Sequence, residues 1–225
     1  MTIKIDSKIV SYEVVKEDVE AREPSAQPAS NIIQMHEKVE RPEMLLGSTY
    51  KVKTPLTEHA LYVTINDIVL NLGTEHELRR PFEIFINSKN MDHFQWIVAL
   101  TRIVSAVFRK GGDVTFLVEE LRSVFDPRGG YFKKGGKFMP SLVAEIGDVI
   151  DNHLRRIGLL KSERLDDHQK EFVAAKRREF ERTTQTRSGG IFPDGAQLCV
   201  KCNTRAMIHL DGCLTCLNCG ESKCG

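Results

Sequence analysis

The chain has 225 residues, a formal charge of +1 and 41% hydrophobic residues. That length supports one sizeable core with a small added module, or two small domains. The near-balanced charge excludes a global field that would draw in nucleic acid or an anionic membrane, and no apolar run reaches the roughly 18 residues of a spanning helix.

Residues 1–17 read as a short hairpin-like stretch with Ile3, Ile5, Ile9 and Val14 as its apolar positions. The first six residues alternate polar and apolar side chains and lack the continuous apolar core of a secretory signal, so the expected location is cytoplasmic. Residues 18–43 are acidic, carry Pro24, Pro28 and Pro42, and have the composition of a linker that buries too little to order itself. The expected organisation is 1–43 hairpin-like segment and linker, 44–160 globular domain, 161–198 charged helix and tether, and 199–225 cysteine-rich tail.

Within 44–160 the period changes partway. Leu61, Val63 and Ile65 alternate with Tyr62, Thr64 and Asn66, and Phe82, Ile84 and Ile86 alternate with Glu83 and Phe85; both are strand patterns, with a weaker third over 45–52. From residue 91 to 110, Phe94, Ile97, Leu100, Val104, Val107 and Phe108 fall at helical spacing, and Gly111-Gly112 stops the helix. Asp113 can cap a second helix with Val114, Leu117, Val118, Leu121 and Val124 inward. A third helix, 141–157, places Leu142, Ile146, Val149, Ile150 and Leu154 on one face. Strands followed by helices predict an α+β fold: an antiparallel sheet with helices packed on one face. Residues 162–182 form a charged helix with Leu165, Phe172, Val173 and Phe180 as apolar anchors. Residues 183–198 are rich in Thr, Ser and Gly; as a tether of roughly 16 residues they span about 20–24 Å.

All six cysteines lie between Cys199 and Cys224. A secreted disulfide-stapled domain spreads its cysteines through the fold, whereas clustered CxxC spacing points to metal or redox chemistry. Four thiolates from two CxxC pairs can hold a tetrahedral zinc ion. A zinc knuckle wants a residue tolerant of positive φ just after its second cysteine; Asn203 follows Cys202 and Gly220 follows Cys219. Residues 205–209 can form a strand and Asp211-Gly212 a turn. This favours Cys199, Cys202, Cys216 and Cys219 as ligands in a zinc-ribbon-like module, with Cys199, Cys202, Cys213 and Cys216 as the rival set. The first leaves Cys213 and Cys224 over, the second Cys219 and Cys224. Lys223 beside Cys224 favours its thiolate, the nucleophile of disulfide exchange.

Weaker features read mostly as structure. The segment 128–137, with four glycines, Arg128, Lys133, Lys134 and Lys137, could cradle phosphate or be a surface loop; it is not a P-loop. Trp96 reads as core or interface, and His93 and His153 as ordinary helix residues without visible partners. His209 is a minor rival metal ligand. Arg79-Arg80 can pair with acids or contact a partner.

Several segments together resemble a known family. They are Arg79-Arg80-Pro81-Phe82-Glu83-Ile84-Phe85-Ile86-Asn87, His93-Phe94-Gln95-Trp96, Phe108-Arg109-Lys110-Gly111-Gly112-Asp113, Phe125-Asp126-Pro127-Arg128-Gly129-Gly130-Tyr131, and the ending Asp211-Gly212-Cys213-Leu214-Thr215-Cys216-Leu217-Asn218-Cys219-Gly220. They resemble the C-terminal region of adenosylcobalamin-dependent ribonucleotide reductases, called the TSCPD domain, and are most similar to the split form in which this region is a separate small chain. The resemblance implies a large catalytic chain as partner, carrying the barrel, the radical and substrate cysteines and adenosylcobalamin. Residues 1–198 hold no cysteine, so this chain would not reduce a nucleotide alone. The namesake Thr-Ser-Cys-Pro-Asp motif is not intact; Met139-Pro140-Ser141-Leu142 stands near its place. The resemblance implies a cysteine tail that re-reduces the active-site disulfide, with Cys224 and Cys213 as redox pair (Cys219 as alternative partner) and a thioredoxin-type reductant behind it. The competing readings are a nucleic-acid-binding zinc ribbon or a regulator of reductase assembly. Nucleic acid is disfavoured, because Lys201, Arg205 and Lys223 face Asp211 and Glu221 in a segment with no aromatic residue.

Overall fold

The computed structural model describes residues 32–89, 92, 94–161, 165–184 and 191–224. Contacts divide the chain into two units, Met1–Ile33 and Gln34–Gly225, and every described strand and helix lies in the second. The hairpin expected over 1–17, most of the expected linker, and His93 lie outside the described residues.

Three antiparallel strands, β1 (Leu46–Val52), β2 (Leu61–Leu70) and β3 (Leu78–Ser88), form a sheet in chain order. Alternation sets the register: Val63 pairs Ile86 and Ile65 pairs Ile84, so all four side chains share one face. Against that face pack α1 (Phe94–Lys110), α2 (Phe116–Ser123) and α3 (Leu142–Arg156), with Val104, Phe108, Leu117, Leu121, Ile146 and Ile150 completing the core. Full burial of each such side chain contributes about 1.5–3 kcal/mol. Gly147 lets α2 and α3 approach, since a Cβ there would lie 2.9 Å from the Leu121 Cβ. Ser141 caps α3: its hydroxyl accepts from the Ala144 amide at 3.0 Å and donates to the Val124 carbonyl at 2.7 Å.

The structure departs from the sequence reading in four places. The expected linker reaches the fold before residue 44, because Met35 and Val39 pack with Ile68, Leu70 and Phe82. There Arg41 grips Glu83 at 2.9 Å. Met35 and Val39 are isolated among polar residues, too few to set a strand or helix period. Asp113 is not the cap of α2, a position that Thr115 takes; its carboxylate instead accepts from the amide and hydroxyl of Thr115. The glycine-rich segment after α2 contains a hairpin, β4 (Tyr131–Phe132) and β5 (Phe138–Met139), whose two-residue strands are too short to show a period. Finally, the segment after α4 (Asp167–Thr184) is no free tail from residue 191 onward: Arg177 of α4 donates to the Ile191 carbonyl at 2.6 Å, and Thr204 bridges to Lys137 beside β5.

The last sheet is antiparallel in the order β6 (Gln197–Leu198), β7 (Arg205–Leu210), β8 (Cys213–Cys216), β9 (Ser222–Cys224). Asp211 and Gly212, at φ 51° and 77°, turn β7 into β8 as a tight hairpin turn requires. Among the described residues no helix is long and apolar enough to cross a membrane.

Candidate metal centre and the neighbouring disulfide

Two knuckles carry four of the six sulfurs, those of Cys199, Cys202, Cys216 and Cys219. In one, the Asn203 amide donates to the Cys199 carbonyl at 2.9 Å; in the other, the Gly220 amide donates to the Cys216 carbonyl at 3.0 Å. Both residues have positive φ, 51° and 72°, which is why asparagine and glycine stand there. The strand pairing of β7 with β8 brings the knuckles together.

The Sγ atoms of Cys199, Cys202, Cys216 and Cys219 all lie within 4.8 Å of one another. Cys199 and Cys219 are 3.7 Å apart, and Cys202 and Cys216 3.8 Å. A tetrahedron of sulfurs about 2.3 Å from a central zinc has edges of about 3.8 Å. The donor set therefore fits a thiolate-bound metal ion such as zinc. Cys199 and Cys216 are fully buried, and the Asn218 amide points at the Cys216 sulfur at 3.4 Å. Burial opposes ionisation of Cys202, but hydrogen bonds involving Asn218 and Thr204 outweigh it and bring that thiol down to about 7. Burial pushes Cys216 up to about 11 and Cys219 up as well. Left to themselves, Cys216 and Cys219 would hold their protons, and a bound cation is what converts such a set to thiolates.

The other two cysteines are apart from this set. Cys213 on β8 pairs with Cys224 on β9, and they are joined as a disulfide. Ser222, Lys223 and Cys224 are all exposed at the sheet edge. His209 is exposed on β7 and stands outside the four-cysteine cluster.

The ribbon is held to the domain by main chain. The Phe138 amide donates to the Asn203 carbonyl at 2.6 Å and the Arg205 amide to the Gly136 carbonyl at 2.8 Å, with a bridge between Lys137 and Thr204. The Arg205 guanidinium lies 5.5 Å over the Phe132 ring. From the far side, Val173 and Phe180 of α4 and Phe192 pack on the ribbon core, and Lys176 reaches Asp211 at 2.7 Å. The hairpin thus carries one metal knuckle directly.

Two of the three lysines of segment 128–137, Lys133 and Lys137, are paired with acids of α3. Lys133 meets Glu145 at 2.9 Å, and Lys137 hydrogen-bonds Asp148. Arg122 joins Asp148 at 2.7 Å and Asp151 at 3.0 Å, and Arg155 joins Asp151 at 3.0 Å. Burial pushes the Asp148 carboxyl up, but Lys137 and Arg122 more than offset it and hold it below its usual range. A cavity of about 320 Å³ lies between this network and the ribbon, lined by Arg122, Asp151, Arg155, Asn203 and Asn218 among others. Sequence reading missed the network, although Glu145, Asp148 and Asp151 at three-residue spacing along α3 were its signal.

His153 is a core histidine whose partners the sequence did not show. It is fully buried. Its Nε2 is 2.8 Å from Asp67, its Nδ1 2.8 Å from the Tyr50 hydroxyl, and Asp67 is 2.7 Å from Arg79. Arg79 therefore takes the acid-pairing role of the two offered. Trp96 is exposed on α1 rather than in the core.

A family model described as the TSCPD domain matches residues 34–154, more than half of the chain. No curated protein and no solved structure matches.

Proposed function

The chain belongs to the TSCPD-domain family, a domain found in adenosylcobalamin-dependent ribonucleotide reductases, and we propose that it acts as the C-terminal component of such a reductase. In this reading it docks on a large catalytic chain and returns that chain's active-site disulfide to the dithiol state after each turnover. The supporting observation is the division of the six cysteines: four converge in the ribbon, and two stand as a disulfide on its exposed edge.

Cys199, Cys202, Cys216 and Cys219 would hold zinc, which when bound keeps the ribbon folded and its four sulfurs out of exchange. In the reduced form, the Cys224 thiolate, beside Lys223, attacks one sulfur of the catalytic chain's disulfide. That bond breaks, one active-site sulfur leaves as thiolate and takes a proton from water, and a mixed disulfide remains. The Cys213 thiolate then attacks the Cys224 sulfur and expels the second active-site sulfur. The two electrons have moved to the catalytic chain, and Cys213–Cys224 is oxidised. A thioredoxin-type dithiol reduces it for the next cycle. Because the ribbon is held by β4–β5 and α4, delivery in this reading is by docking of the β8–β9 edge, not by the swing of a free tether. Adenosylcobalamin belongs to the partner chain and supplies the radical chemistry there.

The test is reconstitution with a catalytic chain of this reductase class that lacks its own cysteine tail. Cys224→Ser should leave a single turnover of pre-reduced enzyme intact and abolish thioredoxin-driven cycling, with partial rescue by a small dithiol. Full thioredoxin-driven cycling in the variant would contradict the shuttle. A zinc ribbon serving only as a scaffold would lower both assays together.

A further inference from the structure

The four converging cysteines are not equally enclosed. Cys199 and Cys216 are fully buried, whereas Cys202 and Cys219 are half-buried. Among the described residues, Ala206, Met207 and Leu217 pack with the two buried cysteines in the ribbon core. The two half-buried ones line the cavity of about 320 Å³ beside α3, and the buried ones do not. The cavity therefore meets the metal centre along the edge between the Cys202 and Cys219 sulfurs.

The rest of the lining is mostly cationic. Arg122, Lys137, Arg155 and Lys201 stand there with one carboxylate, Asp151. Asp148 and Asp151 hold the first three, and Glu221 holds Lys201 at 3.0 Å. The cations are thus positioned before any ligand arrives, and four of them outnumber the three acids that hold them. Four thiolates around a divalent ion leave a net charge of about −2, which repels an anionic ligand. Cations gathered at the open edge offset that repulsion, and a cleft concentrates their field. The side chain of Lys201 is 59% exposed, the most of the four, and stands where the cavity meets solvent.

We propose that this cavity is the port of the metal centre, through which a small anionic chelator loads and withdraws the ion while the chain stays folded. In withdrawal, a chelator donor atom bonds the ion over the Cys202–Cys219 edge. The sulfur of Cys202 or Cys219 loses its own bond to the ion and takes a proton from water. Loading is the reverse: a proton leaves the thiol as the sulfur bonds the ion and the chelator departs. The ion stays divalent and no electron moves. The inference rests on the four cysteines holding a metal, and the alternative to a port is release through local unfolding of the ribbon.

The test is the rate of zinc loss from the full, zinc-loaded chain, followed by native mass spectrometry at constant ionic strength. The starting zinc content reports separately on the metal centre itself. Two chelators are compared: EDTA, which is anionic, and 1,10-phenanthroline, which is uncharged. Loss to EDTA should rise in proportion to EDTA concentration and stay within twofold in about 1 M urea, too little to unfold the ribbon. Lys201→Glu should slow loss to EDTA about fivefold at low salt, less at high salt, and leave loss to phenanthroline unchanged. A rate that levels off with EDTA concentration, or climbs steeply with urea, would overturn the port in favour of unfolding. So would faster loss to both chelators in Lys201→Glu, since breaking the Lys201–Glu221 pair would then have loosened the ribbon.

Discussion

Cys213 and Cys224 face each other across β8 and β9 and are joined, while Cys216, three residues beyond Cys213, belongs to the four-cysteine cluster that could hold a metal ion. One strand thus serves both sulfur groups. Successive residues of a strand point to opposite faces, and the odd separation of Cys213 and Cys216 puts the disulfide and the four-cysteine cluster on different sides of β8. This is how two sulfur chemistries can stay apart within a short span.

Replacing a cluster cysteine should release the metal. Cys199→Ser or Cys216→Ser should bring zinc well below one per chain, whereas Cys213→Ser and Cys224→Ser should keep it near one. Metal analysis of purified, reduced protein reads this directly.

Chelation should also be felt in the domain. The Phe138 and Arg205 amides are bonded across the junction, to Asn203 and Gly136. Their hydrogen exchange should quicken when the ribbon loses metal, while Ile84 and Ile65 amides in the main sheet keep their protection. Equal protection with and without metal would show that the knuckle holds its shape unaided.

Much of this was legible from residue pattern, and the reasons for the rest are specific. Strand β2 announced itself by alternation, and the knuckles by CxxC spacing with Asn203 and Gly220 behind it. The docking of β4–β5 on the ribbon rests on main-chain bonds such as Phe138 to Asn203, which leave no side-chain signature. The partner of His153 lies 86 residues away in sequence, beyond the reach of any local window.

The buried Tyr50–His153–Asp67 chain should be a large stability element. His153→Ala leaves Asp67 without one of its two partners and opens space beside it, so a loss of about 3–5 kcal/mol is expected in urea unfolding. Tyr50→Phe removes only one hydrogen bond and should cost about 1 kcal/mol.

Asp148 predicts a pH dependence. Lys137 and Arg122 hold its carboxyl below the usual range in the folded chain. A depressed carboxyl contributes stability above its unfolded pKa of about 3.9, and that contribution is lost as pH falls through the folded value. Asp148→Asn should therefore destabilise by about 1–2 kcal/mol at pH 7. The gap from wild type should close below about pH 4. A gap that persists undiminished in acid would assign the loss to packing rather than charge.

The most direct test of a ribbon with two separate sulfur chemistries follows the six sulfurs themselves. The full, zinc-loaded chain is treated with a catalytic thioredoxin system, alkylated, and examined by native mass spectrometry and peptide mapping. Cys213 and Cys224 alone should take the label, with one zinc still bound. Loss of zinc on reduction, labelling of Cys199, Cys202, Cys216 or Cys219 in their place, or a Cys213–Cys224 disulfide inert to thioredoxin would contradict that division.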